Sequence, residues 1–251
     1  MDTKIFIIGH KPVSYGWYDD NALYEPIQVG DGEDMIPGVL RDDTGRNIHK
    51  WNPMYAESTA TYWIANNVTG YTYLGQCQYR RRLKFDEDTD FDALFAKYDA
   101  ICCKPLNYNP YNQYTCCHSH LDMDDFREAI AELYPDMLDD FDRYIVNGNW
   151  LYYSNSFVLK AEDYRAYAKF LFKIINWIKR KRGWTTIAKA AAMIKQEMDD
   201  GLRRNNAPKG RDIVSYQLQV PAFLSERIFN LWVRSKCPRR LEIKYETFEG
   251  V

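Results

Sequence analysis

YLGQCQYRRRLKF, residues 73–85, sets three consecutive arginines directly behind a strand-like stretch, and the reading of that junction decides the fold. Residues 71–77, YTYLGQC, have the aromatic and apolar content of a strand, and Gly75 leaves room there for another backbone or a ligand. Upstream, KIFII at 4–8 is a β-branched and aromatic run bounded by Gly9 and Pro12, which predicts a buried first strand. Between the two, WNPMYAESTATYWIANN predicts a helix from about 53 to 66. Asn52 serves as its N-cap, Pro53 suits the first helical position, and Tyr55, Thr59, Tyr62, Trp63 and Asn66 keep helical spacing. Downstream come an acidic loop, a short helix over 91–97 and a third strand over about 99–103. This alternation predicts an α/β domain with a mostly parallel sheet, in which ligands bind beyond the carboxyl ends of the strands. His10 and Lys11 after the first strand, and Tyr79, Arg80 and Arg81 after the second, are then expected to face one crevice.

The second half is richer in helix patterns. Residues 106–120, LNYNPYNQYTCCHSH, lack a period and are expected to form a long irregular loop, a mobile wall for an active site. Phe126, Ile130, Leu133 and Tyr134 mark a helix interrupted near Pro135, and WLYYSNSFVLK at 150–160 reads as a further strand region with Asn155 at its middle. A long amphipathic helix follows over 162 to about 180, ending in KRKRGW (179–184), and further helices are expected over about 185–200 and 221–235.

With 251 residues, 46% of them hydrophobic, the chain can close the core of one large domain. A net charge of -2 excludes a broad nucleic-acid surface, so any anion site must be local. The apolar run before Gly9 is too short for a signal peptide or a membrane span, and a cytoplasmic protein is expected. Six cysteines without a paired C-x-x-C arrangement favour buried, reduced thiols.

Several clusters carry alternative readings. Arg80 and Arg81 with Lys11 either clamp a diphosphate through charge-assisted hydrogen bonds or form an exposed charge run paired with DEDTD at 86–90. DEDTD itself either holds a magnesium or manganese ion or is a solvated loop in which Thr89 caps the next helix with Asp92 in a capping box; the second is preferred. His118 and His120 are candidates for metal ligation or proton transfer, against the commoner polar loop histidine. Glu226, on an apolar-rich helix, is either a buried general base or the ion-pair partner of Arg227. No P-loop, dinucleotide or nucleophile-elbow motif is present.

The ordered blocks IFIIGHKP, YEPIQVGD, DDTGRNIHKWNPMYAESTATYW, LGQCQYRRRLKF, YSNSFVLK and FLSERIFNLWV resemble the DUF4422 family of bacterial glycosyltransferase-like proteins. Its members belong to capsular-polysaccharide, exopolysaccharide and O-antigen biosynthesis. Gln78-Tyr79-Arg80-Arg81 stands where the family usually has H-Y-R-R, and Gly9-His10-Lys11 where it has T-H-K; Asn155 and Glu226-Arg227 match its later asparagine and E-R pair.

The resemblance implies a GT-A-like, Rossmann-like sheet with a nucleotide-binding half over 1–105 and an acceptor-side, helix-rich half over 106–251, together forming one domain. It implies hexosyl transfer from a nucleotide-sugar, UDP-linked by expectation, to a glycan or lipid-linked acceptor, at the inner face of the plasma membrane if KRKRGW makes peripheral contact there. Lys11, Arg80 and Arg81 would then neutralise the diphosphate, His10, Val29, Gly30 and Asn47 would line the nucleoside pocket, and Tyr79 would belong to the same nucleotide site. Asn155 would orient a sugar, Glu226 would act as base, and His118 and His120 would lie on the acceptor side. No metal is required in this reading, although manganese or magnesium remains an alternative. The lost histidine before Tyr79 leaves a second class open: a non-catalytic nucleotide- or carbohydrate-binding subunit that assists a partner enzyme.

Overall fold

The first strand, β1 (Thr3–Gly9), turns Phe6 and Ile8 to one face and Ile5 and Ile7 to the other, and both sets are buried. A strand buried on both sides belongs in the middle of a sheet. The computed structural model describes residues 2–11, 21–31 and 38–247; Pro12, expected to close the first strand, lies outside them. Chain order continues with β2 (Tyr24–Gln28), β3 (Leu40–Arg41), α1 (Asn52–Tyr55), α2 (Ser58–Asn67), β4 (Tyr73–Gln78), β5 (Arg81–Arg82), α3 (Phe91–Lys97), β6 (Ala100–Cys103), α4 (Pro110–Thr115), α5 (His120–Leu133) and α6 (Leu138–Phe141). Then come β7 (Phe157–Lys160), α7 (Ala161–Lys181), α8 (Ile187–Asp199), α9 (Ile213–Gln217), α10 (Val220–Lys236), β8 (Arg240–Ile243) and β9 (Glu246–Thr247).

The sheet runs in the order β3-β2-β1-β4-β7-β6-β8, with β5 and β9 as a short ribbon off β4. β1 is parallel to β2 and β4, β2 to β3 and β6 to β8, whereas β7 is antiparallel to both its neighbours. Along that path β7 alone runs against the rest, so the sheet is mostly parallel, and the start of β7 lies at the same edge as the ends of β1, β2 and β4. Helices α2, α5, α7 and α10 cover one face, and α3 with Leu83 and Phe85 covers the other. Gly75 admits neighbouring strands rather than a ligand: a Cβ there would sit 2.9 Å from Val158 Cγ2 and 3.0 Å from the Phe157 carbonyl.

Four expectations are corrected. The helix predicted over 53–66 breaks at Ala56 (φ 41°), because the Asn52 and Thr59 side chains both donate to the Ala56 carbonyl, at 3.0 and 2.9 Å. Asn52 is therefore a staple inside the first turn, not an N-cap. The irregular loop over 106–120 contains α4, capped by Asn109, whose side chain accepts from the Asn112 N–H at 2.7 Å. The strand over 150–160 is interrupted by Ser154 and Asn155, both at positive φ, and only Phe157–Lys160 pairs as β7. Asp90, not Thr89, caps α3, accepting from the Ala93 N–H at 2.9 Å.

Other elements gave no usable sequence signal. β2 contains Pro26, tolerated because its imide faces β3, which pairs only with Ile27 and Gln28. Cys77, Cys102, Cys103 and Cys237 are buried free thiols, but Cys116 is exposed, so the expectation of buried cysteines fails there. Among the described residues no helix is long and apolar enough to cross a membrane.

The basic end of α7 is not simply solvated. Lys181 pairs with Asp125 at 2.8 Å, Lys179 lies 3.0 Å over the Trp51 ring, and Arg182 pairs with Asp122, Asp125 and Glu197. Arg203 completes this cluster through two hydrogen bonds to the fully buried Asp122, at 2.8 and 2.6 Å. Burial alone would raise the Asp122 carboxyl, but Arg203 and Arg182 more than offset it and hold it below the ordinary range. Removing one partner strands a buried charge, so Arg203→Ala is expected to cost about 3–5 kcal/mol in chemical denaturation. Because the folded pKa of Asp122 is lowered, its contribution is full above the unfolded value of about 3.9 and is lost as pH falls through the lowered value. Acid titration of stability should therefore be shallower in the variant.

Candidate active site

The carboxyl ends of β1 and β4, the segment ahead of β7 and the first turns of α10 line a cavity of about 430 Å³, a size suited to a small ligand. His10 enters its wall after β1, and Gln78, Tyr79, Arg80 and Arg81 enter from the end of β4. The α1–α2 junction adds Ala56 and Glu57, α10 adds Phe223, Glu226 and Arg227, and the end of α4 adds Cys117 and His118. Arg211 and Tyr216 close the remaining side.

The arginines divide by depth. Arg80 is exposed, with its guanidinium 5.0 Å from the Tyr79 ring centroid, and Arg211 is exposed, 5.9 Å from that of Tyr216. Neither has a carboxylate partner among the described residues. Arg81 is half-buried, lies 4.9 Å over the Tyr153 ring and donates to Gln78 Oε1 at 3.2 Å. Arg82 is fully buried and donates to the Tyr79 carbonyl at 2.9 Å. A T-shaped His10–Tyr79 contact at 5.3 Å joins the two strand ends. Partial burial and then the charges of Lys11, Arg211 and Arg80 push the His10 imidazolium down, so these cations converge on one place although Lys11 is not itself in the wall.

Two carboxylates stand on the inner side. Glu57 accepts from Asn155 Nδ2 at 2.8 Å and from Gln78 Nε2 at 2.6 Å. Glu226 accepts from the Ser154 N–H at 2.9 Å and from Arg227 at 2.6 Å. Burial raises both, and the charge of Glu226 adds to the effect on Glu57, which is pushed up to about 7. The Ser154-Asn155 turn that serves both acids is fixed from below by Gln76, whose amide donates to the Asn155 carbonyl at 3.1 Å.

The remaining expected residues scatter. Val29 lines the cavity; Gly30 lies behind it with φ 77°, where a Cβ would sit 2.6 Å from Asn52 Oδ1. Asn47 is held in its own turn, donating to the Asp43 and Gly45 carbonyls at 2.9 and 3.1 Å, and is not in the wall. Asn155 sits one layer behind Glu57, donating also to Ser225 Oγ at 2.8 Å. His120 begins α5 on the exposed surface, away from the cavity. His118 is buried in the wall, stacked on Phe223 at 4.1 Å. Among the described residues no cluster of three His, Cys, Asp or Glu side chains has the geometry to hold a metal, and DEDTD lies outside the cavity wall.

Sequence reasoning missed Glu57 and Arg211. Glu57 sat inside a helix-periodic stretch whose break comes from side-chain staples, and Arg211 belongs to the polar loop RRNNAPKGRD, where charge is ordinary.

The chain belongs to the family described as "Domain of unknown function (DUF4422)", which matches residues 4–192. Its structure is similar to that of the bifunctional glycosyltransferase WbbM in the apo form, with a TM-score of 0.71 and 21% identity, covering 100% of this chain and 46% of that one. This chain thus spans less than half of that protein's length. The shared feature is the fold, a GT-A-like α/β architecture with helices on both sides of a mostly parallel sheet. No curated protein matches the sequence.

His118 offers a direct check on the cavity wall. Burial pushes its imidazolium down to about 4, so its ring resonances in an NMR titration should shift near that value. A midpoint near the ordinary value of about 6.5 would contradict the packed wall.

Proposed function

We propose that the protein transfers a sugar from a nucleotide-sugar to a glycan or lipid-linked acceptor in surface-polysaccharide synthesis. The observation that carries this reading is the convergence of Arg80 and Arg211, two arginines without carboxylate partners among the described residues, on a cavity that also holds two acids, Glu226 buried and Glu57 half-buried. Unpaired guanidiniums beyond parallel strand ends suit a diphosphate, which accepts charge-assisted, bidentate hydrogen bonds. They also suit the reaction, because charge builds on the departing nucleoside diphosphate as the glycosidic bond breaks.

In this reading the ends of β1 and β4 bind the donor, UDP-linked by expectation, with Tyr79, His10 and Val29 beside the nucleoside and Lys11 adding long-range attraction. The α4, α9 and α10 side, with His118, Phe223 and Tyr216, receives the acceptor. Neutralisation by arginine makes the transfer independent of a divalent metal. The same proposal places the protein in the cytoplasm, at the inner membrane face where lipid-linked acceptors are found. Asn155 orients Glu57 and so reaches the sugar only through it.

Calorimetry with nucleoside diphosphates tests the donor site. Arg80→Ala and Arg211→Ala should each weaken binding roughly tenfold to a hundredfold, the worth of one charged hydrogen-bonding group. Unchanged affinity in the double variant would contradict the site. Release of nucleoside diphosphate from a panel of sugar donors should persist in EDTA; abolition with recovery in manganese would remove the metal-free part. Binding without any turnover would point to an assisting subunit.

A further inference from the structure

We propose that Glu57 is the catalytic residue that takes the proton from the attacking acceptor hydroxyl, and that Glu226 is a positioning residue. The inference rests on the sugar-transfer reading above and assigns a role within it.

The backbone singles out this pair of acids. Among the described residues only Ala56, Ser154 and Asn155 combine a side chain with positive φ, at 41°, 68° and 45°. Ala56 precedes Glu57, the Ser154 N–H donates to Glu226, and the Asn155 side chain donates to Glu57. Three strained residues that all serve two carboxylates in one cavity fit the concentration of backbone strain at working sites.

Their partners divide the work. Both donors to Glu57 are neutral amides, from Asn155 and Gln78, which orient the carboxylate without neutralising it. Glu226 is held by the Arg227 guanidinium and a backbone N–H, which favours its charged form and makes it the weaker base. The charged and titratable groups facing Glu57 are Glu226 from α10, Arg81 of β5, Tyr153 ahead of β7 and Tyr167 of α7; burial and Glu226 outweigh the two amide donors and Arg81. His10 and His118, the other bases of the cavity, are both shifted down, so they are poorer proton acceptors. Gln78 occupies the position where the resembling family carries histidine, and its amide supplies a donor to Glu57.

The step balances within the cavity. The acceptor oxygen forms a bond to the anomeric carbon as its proton passes to a Glu57 oxygen. The bond from that carbon to the phosphate oxygen breaks, and its electron pair leaves with the nucleoside diphosphate, whose charge faces Arg80 and Arg211. Glu57 then returns the proton to solvent.

Release of nucleoside diphosphate from sugar donors, with water as acceptor, tests the assignment. Glu57→Gln should lower turnover by about a hundredfold or more, the usual worth of a positioned base, while nucleoside diphosphate affinity stays at the wild-type value. The wild-type rate should rise with pH through about 7, and that rise should vanish in the variant. Formate should restore part of the turnover of Glu57→Ala, and Glu226→Gln should be slower yet keep the rise. Wild-type turnover in Glu57→Gln, or a rise that survives there and vanishes in Glu226→Gln, would overturn the assignment. A wild-type protein that binds nucleoside diphosphate but releases none from any donor would overturn the sugar-transfer reading, and this step with it.

Discussion

Two consecutive residues in the left-handed region, Ser154 and Asn155, hold the floor of the cavity together. Each such conformation costs about 1–3 kcal/mol and persists only where the surroundings impose it. Here they do: Gln76 reaches from β4 to the Asn155 carbonyl, Ser225 receives the Asn155 amide, and the Ser154 N–H is spent on Glu226. Gln76 is fixed in turn by the hydroxyls of Thr61 at 3.0 Å and Tyr164 at 2.5 Å, so α2 and α7 contribute to the same turn. The reversed direction of β7 makes this possible, since it brings the start of that strand to the edge where its parallel neighbours end.

Charge is then arranged by depth. The exposed arginines, Arg80 and Arg211, come from segments far apart in the chain and keep their hydrogen-bonding capacity for a ligand. The two acids lie further in, each with both oxygens engaged, so they are kept in place without being cancelled. A phosphate-bearing ligand and a hydroxyl-bearing one would meet between these layers. The ion cluster around Asp122 is a separate structural device: it anchors the segment after α8 through Arg203, ahead of Arg211.

The sheet and the long helices were legible because burial selects apolar residues. β1 and β4 are short aromatic and apolar stretches buried along almost their whole length, α7 repeats with the spacing of its buried face, and the strand-end rule then placed His10, Tyr79, Arg80 and Arg81 at one edge. What escaped was set by side chains acting on backbone. Nothing in the periodicity of residues 53–66 shows that Asn52 and Thr59 will take the Ala56 carbonyl out of the helix and turn Glu57 to the cavity. Asn47 and His120, plausible by type, are placed by local turn and cap geometry away from the site. Arg82 looked like its neighbours, but alternation along the short strand β5 turns it to the opposite side from the half-buried Arg81 and buries it.

The central claim is that one cavity holds a diphosphate between Arg80 and Arg211 with its glycosyl end toward Glu57. A crystal structure with a bound nucleoside diphosphate-sugar tests it most directly. The account predicts phosphate oxygens within hydrogen-bond distance of both guanidiniums and the anomeric carbon on the Glu57 side, with Ser154 and Asn155 unchanged in conformation. A nucleotide seated elsewhere on the protein, or a diphosphate in the cavity that touches neither arginine, would contradict it.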